Sequence, residues 1–242
     1  QGYTWNLVDG YPLTITVHEF HPHAVKTATF QATDGFQRHD QPDSPLSSGP
    51  AGESFTVLRD PMFTVQAAAL NHRIPSLAYA LQEQFHVNVN KERLHAAGLP
   101  VGAWLNDVKQ YLWQGKPDDF RFHATLYHEH HREEREFVLG EVRERFITIS
   151  RGQKLAYVVD ARYDEENEAR IVELAQGADI FYCEAPYLDQ DADKARDRHH
   201  LTARQAGVMA KKAGVRELAV FHFSPRYTGL GHRIEAEAQQ AF

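Results

Sequence analysis

At 242 residues and 42% hydrophobic composition the chain can bury a sizeable core, arranged as one large α/β domain or two smaller ones. Its 26 basic and 33 acidic side chains leave a net charge of −7, which argues against a protein that simply coats nucleic acid. A single cysteine, Cys183, excludes an intrachain disulfide, and no apolar run reaches the roughly 18 residues of a membrane span. With no secretory signal visible, a reducing, cytoplasmic setting and no membrane partner are expected.

In chain order, residues 13–17 and 24–30 have β character around HEFHPH, whose three histidines lack a zinc-like spacing and read as a polar loop. Residues 37–53 read as a loop or hairpin tip, and 55–58 and 63–70 as strands. His72 follows the second of these, placed either as a hydrogen-bonded core histidine or as a ligand. From Phe85 to Phe122 the texture changes to a short helix at 91–97, a Gly-Leu-Pro-Val-Gly turn and an amphipathic helix at 103–113 expected to expose aromatic surface. This stretch reads as an excursion from the main layers. The run 127–136 alternates charge around His128, His130 and His131 and is read as a solvated strand or turn. Residues 137–149 return to β character, and a helix follows from the acidic run at 164–168 to Gly177. A polar helix is expected from Ile234 to the end.

Three apolar runs organise the second half. Residues 155–159 end in Asp160, 180–183 in Glu184 and 218–221 in His222. In an open α/β sheet, ligands bind in the crevice beyond the carboxyl ends of the strands. Between the last two runs, Thr202 and Gln205 fit a capping box, Ala206, Met209, Ala210 and Ala213 recur at helical spacing, and Gly214 supplies the stop. His200 precedes that cap, where the helix dipole favours an anionic group such as a phosphate. From Lys194 to Arg216, seven basic residues face Asp197 alone; they form either a solvated helix face or a phosphate-binding surface. Arg198 and Arg204 in this stretch, with Arg226, are the substrate-binding candidates. Cys183 lies in an apolar run and reads as a buried thiol. One carboxylate and two histidines at separate strand ends suit a two-metal hydrolase site, with Asp160 as the natural bridge.

The segments HRIPSLAYAL at His72, YVVDARY around Asp160, CEAPYLDQDADKARDRHHLTARQAGVMAKKAGV from Cys183 and FHFSPRY at His222 together resemble the ribonuclease Z family. These are tRNA 3′-end endonucleases of the metallo-β-lactamase superfamily, and the likeness covers the family's C-terminal two-thirds. It implies an α/β fold, the αβ/βα sandwich of that superfamily, with residues 1–242 a partial domain and 85–122 an inserted arm that grips tRNA. It further implies two Zn²⁺ ions per complete subunit, with His72 and His222 as ligands of different ions and Asp160 between them. Glu184 and His200 correspond to the HEAT glutamate and the HST histidine, thought to support proton transfer to the leaving oxygen. Precursor tRNA would be the substrate, losing its 3′ trailer, and the working form a homodimer.

The sequence departs from this pattern at Cys183 and Pro186 in HEAT, at Leu201 in HST and at Ala103 in the arm's Gly-Pro turn, and it contains no HxHxDH loop. GYTWNLVDGYPLTI resembles the family's mid-chain YPL strand, so an N-terminal portion is expected to be missing, with a sheet edge left exposed. Two further readings stay open: a hydrolase acting on a small phosphodiester or other ester, and an inactive scaffold as given, since the chain lacks the loop's ligands.

Overall fold

The computed structural model describes residues 11–21, 24–45, 54–128 and 130–242, which group into units 1–56 and 57–242. In the first unit, β1 (Thr14–Phe20) and β2 (Ala24–Gln31) form an antiparallel hairpin joined by two short strands, β3 (Arg38–Asp40) and β4 (Ser44–Pro45). His18 sits inside β1, its Nδ1 hydrogen-bonded to Thr27 Oγ1, rather than in the expected polar loop. Pro22 and His23 of that motif and residues 46–53 lie outside the described residues, while the described part of the expected 37–53 loop contains β3 and β4.

The second unit is built on a six-stranded sheet. Besides β5 (Ser54–Arg59) it contains β6 (Phe63–Leu70), β7 (Ser76–Glu83), β12 (Lys154–Val158), β13 (Ile180–Glu184) and β14 (Glu217–Phe221), in the order β14-β13-β12-β7-β6-β5. β12, β13 and β14 run parallel, whereas β7 is antiparallel to both β12 and β6. Parallel neighbours require crossovers. These are α4 (Glu165–Ala175) between β12 and β13, then α5 (Ala192–Arg198) and α6 (Ala203–Ala213) between β13 and β14.

Strict alternation along the strands separates the two faces. Ala78, Ala80, Ala156, Val158, Phe181 and Cys183 are buried beneath Ile171 and Leu174 of α4, Met209 and Ala210 of α6, and Ile234 of α7 (Gly231–Ala241). The intervening residues Tyr79, Tyr157 and Tyr182 lie in register across β7, β12 and β13 on the opposite face, each about two-fifths exposed. Small alanines on the covered face let the helices sit close. Gly207 serves the same end between helices: a Cβ there would come within 2.3 Å of the Ala238 carbonyl oxygen.

Between β7 and β12 the chain builds a second apolar cluster. Its elements are β8 (Phe85–Val89), α1 (Lys91–Ala96), α2 (Trp104–Trp113), β9 (Arg121–Tyr127), β10 (Arg132–Val138), α3 (Leu139–Phe146) and β11 (Ile147–Arg151). β9 pairs with β10 and β8 with β11, both antiparallel. Trp104, Val108, Leu126, Leu139, Val142 and Phe146 are its buried centre.

Two expectations change here. The α2 helix turns its aromatic inward, with Trp104 buried and stacked on Phe137 at 5.1 Å. Residues 139–146 are helical rather than β, because Leu139, Val142 and Phe146 recur at helical spacing and all three are buried.

Candidate metal centre

The three parallel strands deliver their terminal residues to one rim. The chain leaves β12 through Asp160 and β14 through His222, and both residues adopt left-handed backbone conformations, with φ of 53° and 64°. Such φ values are uncommon outside glycine and cost of order 1 kcal/mol each, so they persist only where surrounding interactions hold them. Those interactions converge on Glu184, which is fully buried.

The Glu184 carboxylate accepts hydrogen bonds from the backbone N–H groups of Asp160 (2.9 Å), Ala161 (3.2 Å) and Leu201 (3.3 Å). It also accepts from Nδ1 of His200 at 3.0 Å and Nδ1 of His222 at 3.1 Å. Burial alone would raise its pKa, but the two imidazoles and the Ala161 N–H outweigh burial and bring it down to about 2. An ionised carboxylate only accepts, so both histidines carry their proton on Nδ1 and present Nε2 as a lone pair. The Glu184 hydrogen bond also raises the pKa of His222 against the effect of its partial burial.

His200 thus meets the anion expected before the α6 cap, and that anion is an internal carboxylate. The cap itself is present: Thr202 Oγ1 accepts from the Gln205 N–H, and the Gln205 side chain accepts from the Thr202 N–H. The stretch before it, expected as a loop, includes the short helix α5, which ends at His199 in a left-handed conformation.

One donor atom each from Asp160, Glu184, His200 and His222 lie within 4.8 Å of one another. Asp160 Oδ1 is 3.9 Å from Nδ1 of both His200 and His222. His72 lies outside this foursome, but its ring centroid is 5.3 Å from that of His200. Its Nδ1–H donates to the His199 carbonyl at 2.8 Å, which leaves Nε2 for a ligand. A histidine whose second nitrogen is anchored in this way is the usual arrangement of a metal-binding imidazole. Asp160, half-exposed and 3.9 Å from the His222 ring nitrogen, makes with it an imidazole and carboxylate pair of the kind that suits zinc.

Asn167 has a part in this geometry that the sequence reading did not assign. Buried in the first turn of α4, its amide accepts from the Asn71 N–H at 2.7 Å and donates to the carbonyls of Asn71 and Arg162. It therefore pins the loop that carries His72 to the loop that follows Asp160. The signal was available in DEEN, where Asp164 caps the helix through the Asn167 N–H and places Asn167 one turn in.

The basic stretch is less positive than its sequence suggests. Lys194, Arg196, Arg204, Lys212 and Arg216 pair with Asp191, Asp193, Asp189, Glu168 and Asp179 respectively. Arg226 lies 3.5 Å from Asp191, and Arg198 is exposed near the end of α5. Cys183 is fully buried, and burial pushes its thiol pKa well up, as fits an inert core residue.

No protein-family model matches the chain. Ribonuclease Z of Deinococcus radiodurans is 33% identical over 242 residues, covering 100% of this chain and 66% of that protein. The Kineococcus radiotolerans ribonuclease Z is 34% identical over 178 residues (73% and 47%), and that of Synechocystis sp. 35% over 195 residues (78% and 53%). The chain spans about half to two-thirds of the length of these curated relatives. Among solved structures, the short form of human tRNase Z covers 73% of this chain and 42% of its own at 21% identity, with a TM-score of 0.40. The metallo-β-lactamase-fold protein YhfI of Bacillus subtilis covers 77% and 46% at 16% identity, with a TM-score of 0.42. Because the Deinococcus radiodurans protein aligns with every residue of this chain at 33% identity, the chain belongs to the ribonuclease Z family.

Proposed function

We propose that this chain forms the strand-end half of a zinc-dependent endoribonuclease that removes the 3′ trailer from precursor tRNA. The observation that carries this is the convergence of Asp160, Glu184, His200 and His222 from separate elements onto one rim. His72, Asp160 and His222 would hold the metal, and two ions per complete subunit fit Asp160 as a shared ligand. When bound, zinc supplies hydroxide at neutral pH and offsets charge growing on a phosphoryl oxygen.

The chain's own groups would do the rest. Glu184 keeps the Nδ1–H of His200 in place, so that Nε2, after taking up a proton from solvent, would pass it to the leaving 3′ oxygen and return to a lone pair. Glu184 acts through that histidine, since it is itself fully buried. Arg198, Arg204 and Arg226 would contact tRNA phosphates, the last two by exchanging their aspartate partners for phosphate oxygens. Residues 85–122 would serve as the arm gripping tRNA, in a cytoplasmic homodimer. The chain contains no HxHxDH segment, so this activity is proposed for a protein that includes one.

A second reading, hydrolysis of a small phosphodiester, is favoured by the ion pairs that neutralise most of the basic stretch. In a protein carrying the HxHxDH segment, a precursor-tRNA cleavage assay run beside a chromogenic diester separates the two. Cleavage at the trailer that falls in His200→Ala while zinc content holds supports the proposal. Diester turnover with tRNA left uncut would replace it with the second reading.

A further inference from the structure

A second group of metal-ligating side chains lies at the tip of the β9–β10 hairpin. The His128 N–H donates to the His131 carbonyl at 2.9 Å, and the neighbouring ladder pair is Tyr127 with Arg132. His128 and His131 therefore face each other across the turn. Their rings stack at 4.5 Å with an interplanar angle of 6°. Glu133, the second residue of β10, brings its Oε2 to 3.6 Å from the His128 ring nitrogen Nε2. One donor atom from each of the three lies within 4.8 Å of the others.

Two further observations point to a ligand. His128 Nε2 is buried and has no hydrogen-bond partner among the described residues. A buried polar atom left unpaired has lost its bond to water without a replacement, which a bound ion would supply. The nearest carboxylate oxygen, Glu133 Oε2, stands 3.6 Å away, beyond hydrogen-bond reach. The other oxygen of Glu133 accepts from Arg135 Nε at 2.9 Å, which fixes the carboxylate while leaving Oε2 available.

We infer that His128, His131 and Glu133 form a second binding site for a zinc-class divalent ion, separate from the strand-end centre. Two imidazole nitrogens and one carboxylate oxygen are a borderline donor set suited to zinc, with a fourth position left to water. Ligands at the 2.0–2.1 Å bond lengths of zinc sit about 3.3 Å apart in a tetrahedron, so the donors must draw in, which side-chain rotation at an exposed turn allows. The ion would clip the hairpin closed at its tip.

The test is zinc titration of the metal-stripped 242-residue chain against a chromophoric chelator, repeated with Co²⁺ to read the ligand field. His128→Ala, His131→Ala and Glu133→Gln should each remove one equivalent of bound metal, with far-UV circular dichroism unchanged. His222→Ala should leave that equivalent in place. Equal stoichiometry in the chain and its hairpin variants would overturn the site, as would its loss in His222→Ala. Glu133→Gln keeps the shape of the strand, so a retained equivalent there counts against the assignment even if the alanine variants misfold.

Discussion

Glu184→Gln tests whether one buried carboxylate holds the rim together. The amide has the shape of the carboxylate but offers a single acceptor oxygen, and its NH₂ must face donors that already point at it. If the amide nitrogen takes the Oε2 position, the N–H of Asp160 and the Nδ1–H of His222 lose their acceptor. If it takes the Oε1 position, the N–H groups of Ala161 and Leu201 lose theirs. Either way two buried or half-buried donors are stranded, at about 1–3 kcal/mol each, so the substitution should cost about 3 kcal/mol or more. With a urea dependence of about 3 kcal/mol per molar for a domain of this size, the unfolding midpoint should fall by about 1 M. Urea titration followed by tryptophan fluorescence and circular dichroism measures it. A midpoint within about 0.2 M of the wild type would refute the assignment of Glu184 as the node of the site.

The remaining expectations concern packing and pH. Gly207→Ala would push a methyl against the Ala238 carbonyl and Ala241, and overpacking of this kind costs about 1–3 kcal/mol, read as a lowered thermal midpoint. The pKa of Asp191 is held down to about 2 by hydrogen bonds from Lys194 and Tyr227. Because its folded pKa is depressed, the stabilisation is present above the unfolded value near 4 and is lost as pH falls toward 2. Stability curves of the wild type and Asp191→Asn should therefore differ at neutral pH and converge across that window. Curves that stay parallel down to pH 2 would show that the aspartate is not titrating there.

How much of this could be read in advance depended on whether the deciding contact was local. Residues 63–70 are legible as a strand because Phe63, Thr64 and Val65 favour extended backbone and the apolar run stops at Asn71, and the α6 cap because Thr202 and Gln205 are neighbours. The α3 helix was hidden by its own composition: Phe137, Val138, Ile147 and Ile149 flank it and favour β structure, while its helical spacing rests on three residues. The α5 helix has only Ala195 buried and so lacks an apolar stripe to read. For α2, the aromatic surface looked exposed because its cover, Phe137, comes from 33 positions beyond Trp104. At the site, the identities of Asp160, Glu184, His200 and His222 were legible from strand ends and motifs. That Glu184 is the one fully buried among them was not, since a carboxylate after an apolar run has the same letters whether it faces water or three backbone amides.

The row of Tyr79, Tyr157 and Tyr182 has a consequence for how the sheet tolerates its surroundings. A phenol is apolar along its body and polar at its tip, so each ring can shield the backbone beneath while its hydroxyl keeps a bond to solvent. Leucines at the same positions would make a greasy panel prone to self-association. Tyrosines make an amphiphilic one, able to stay wetted or to be covered with little penalty in either condition.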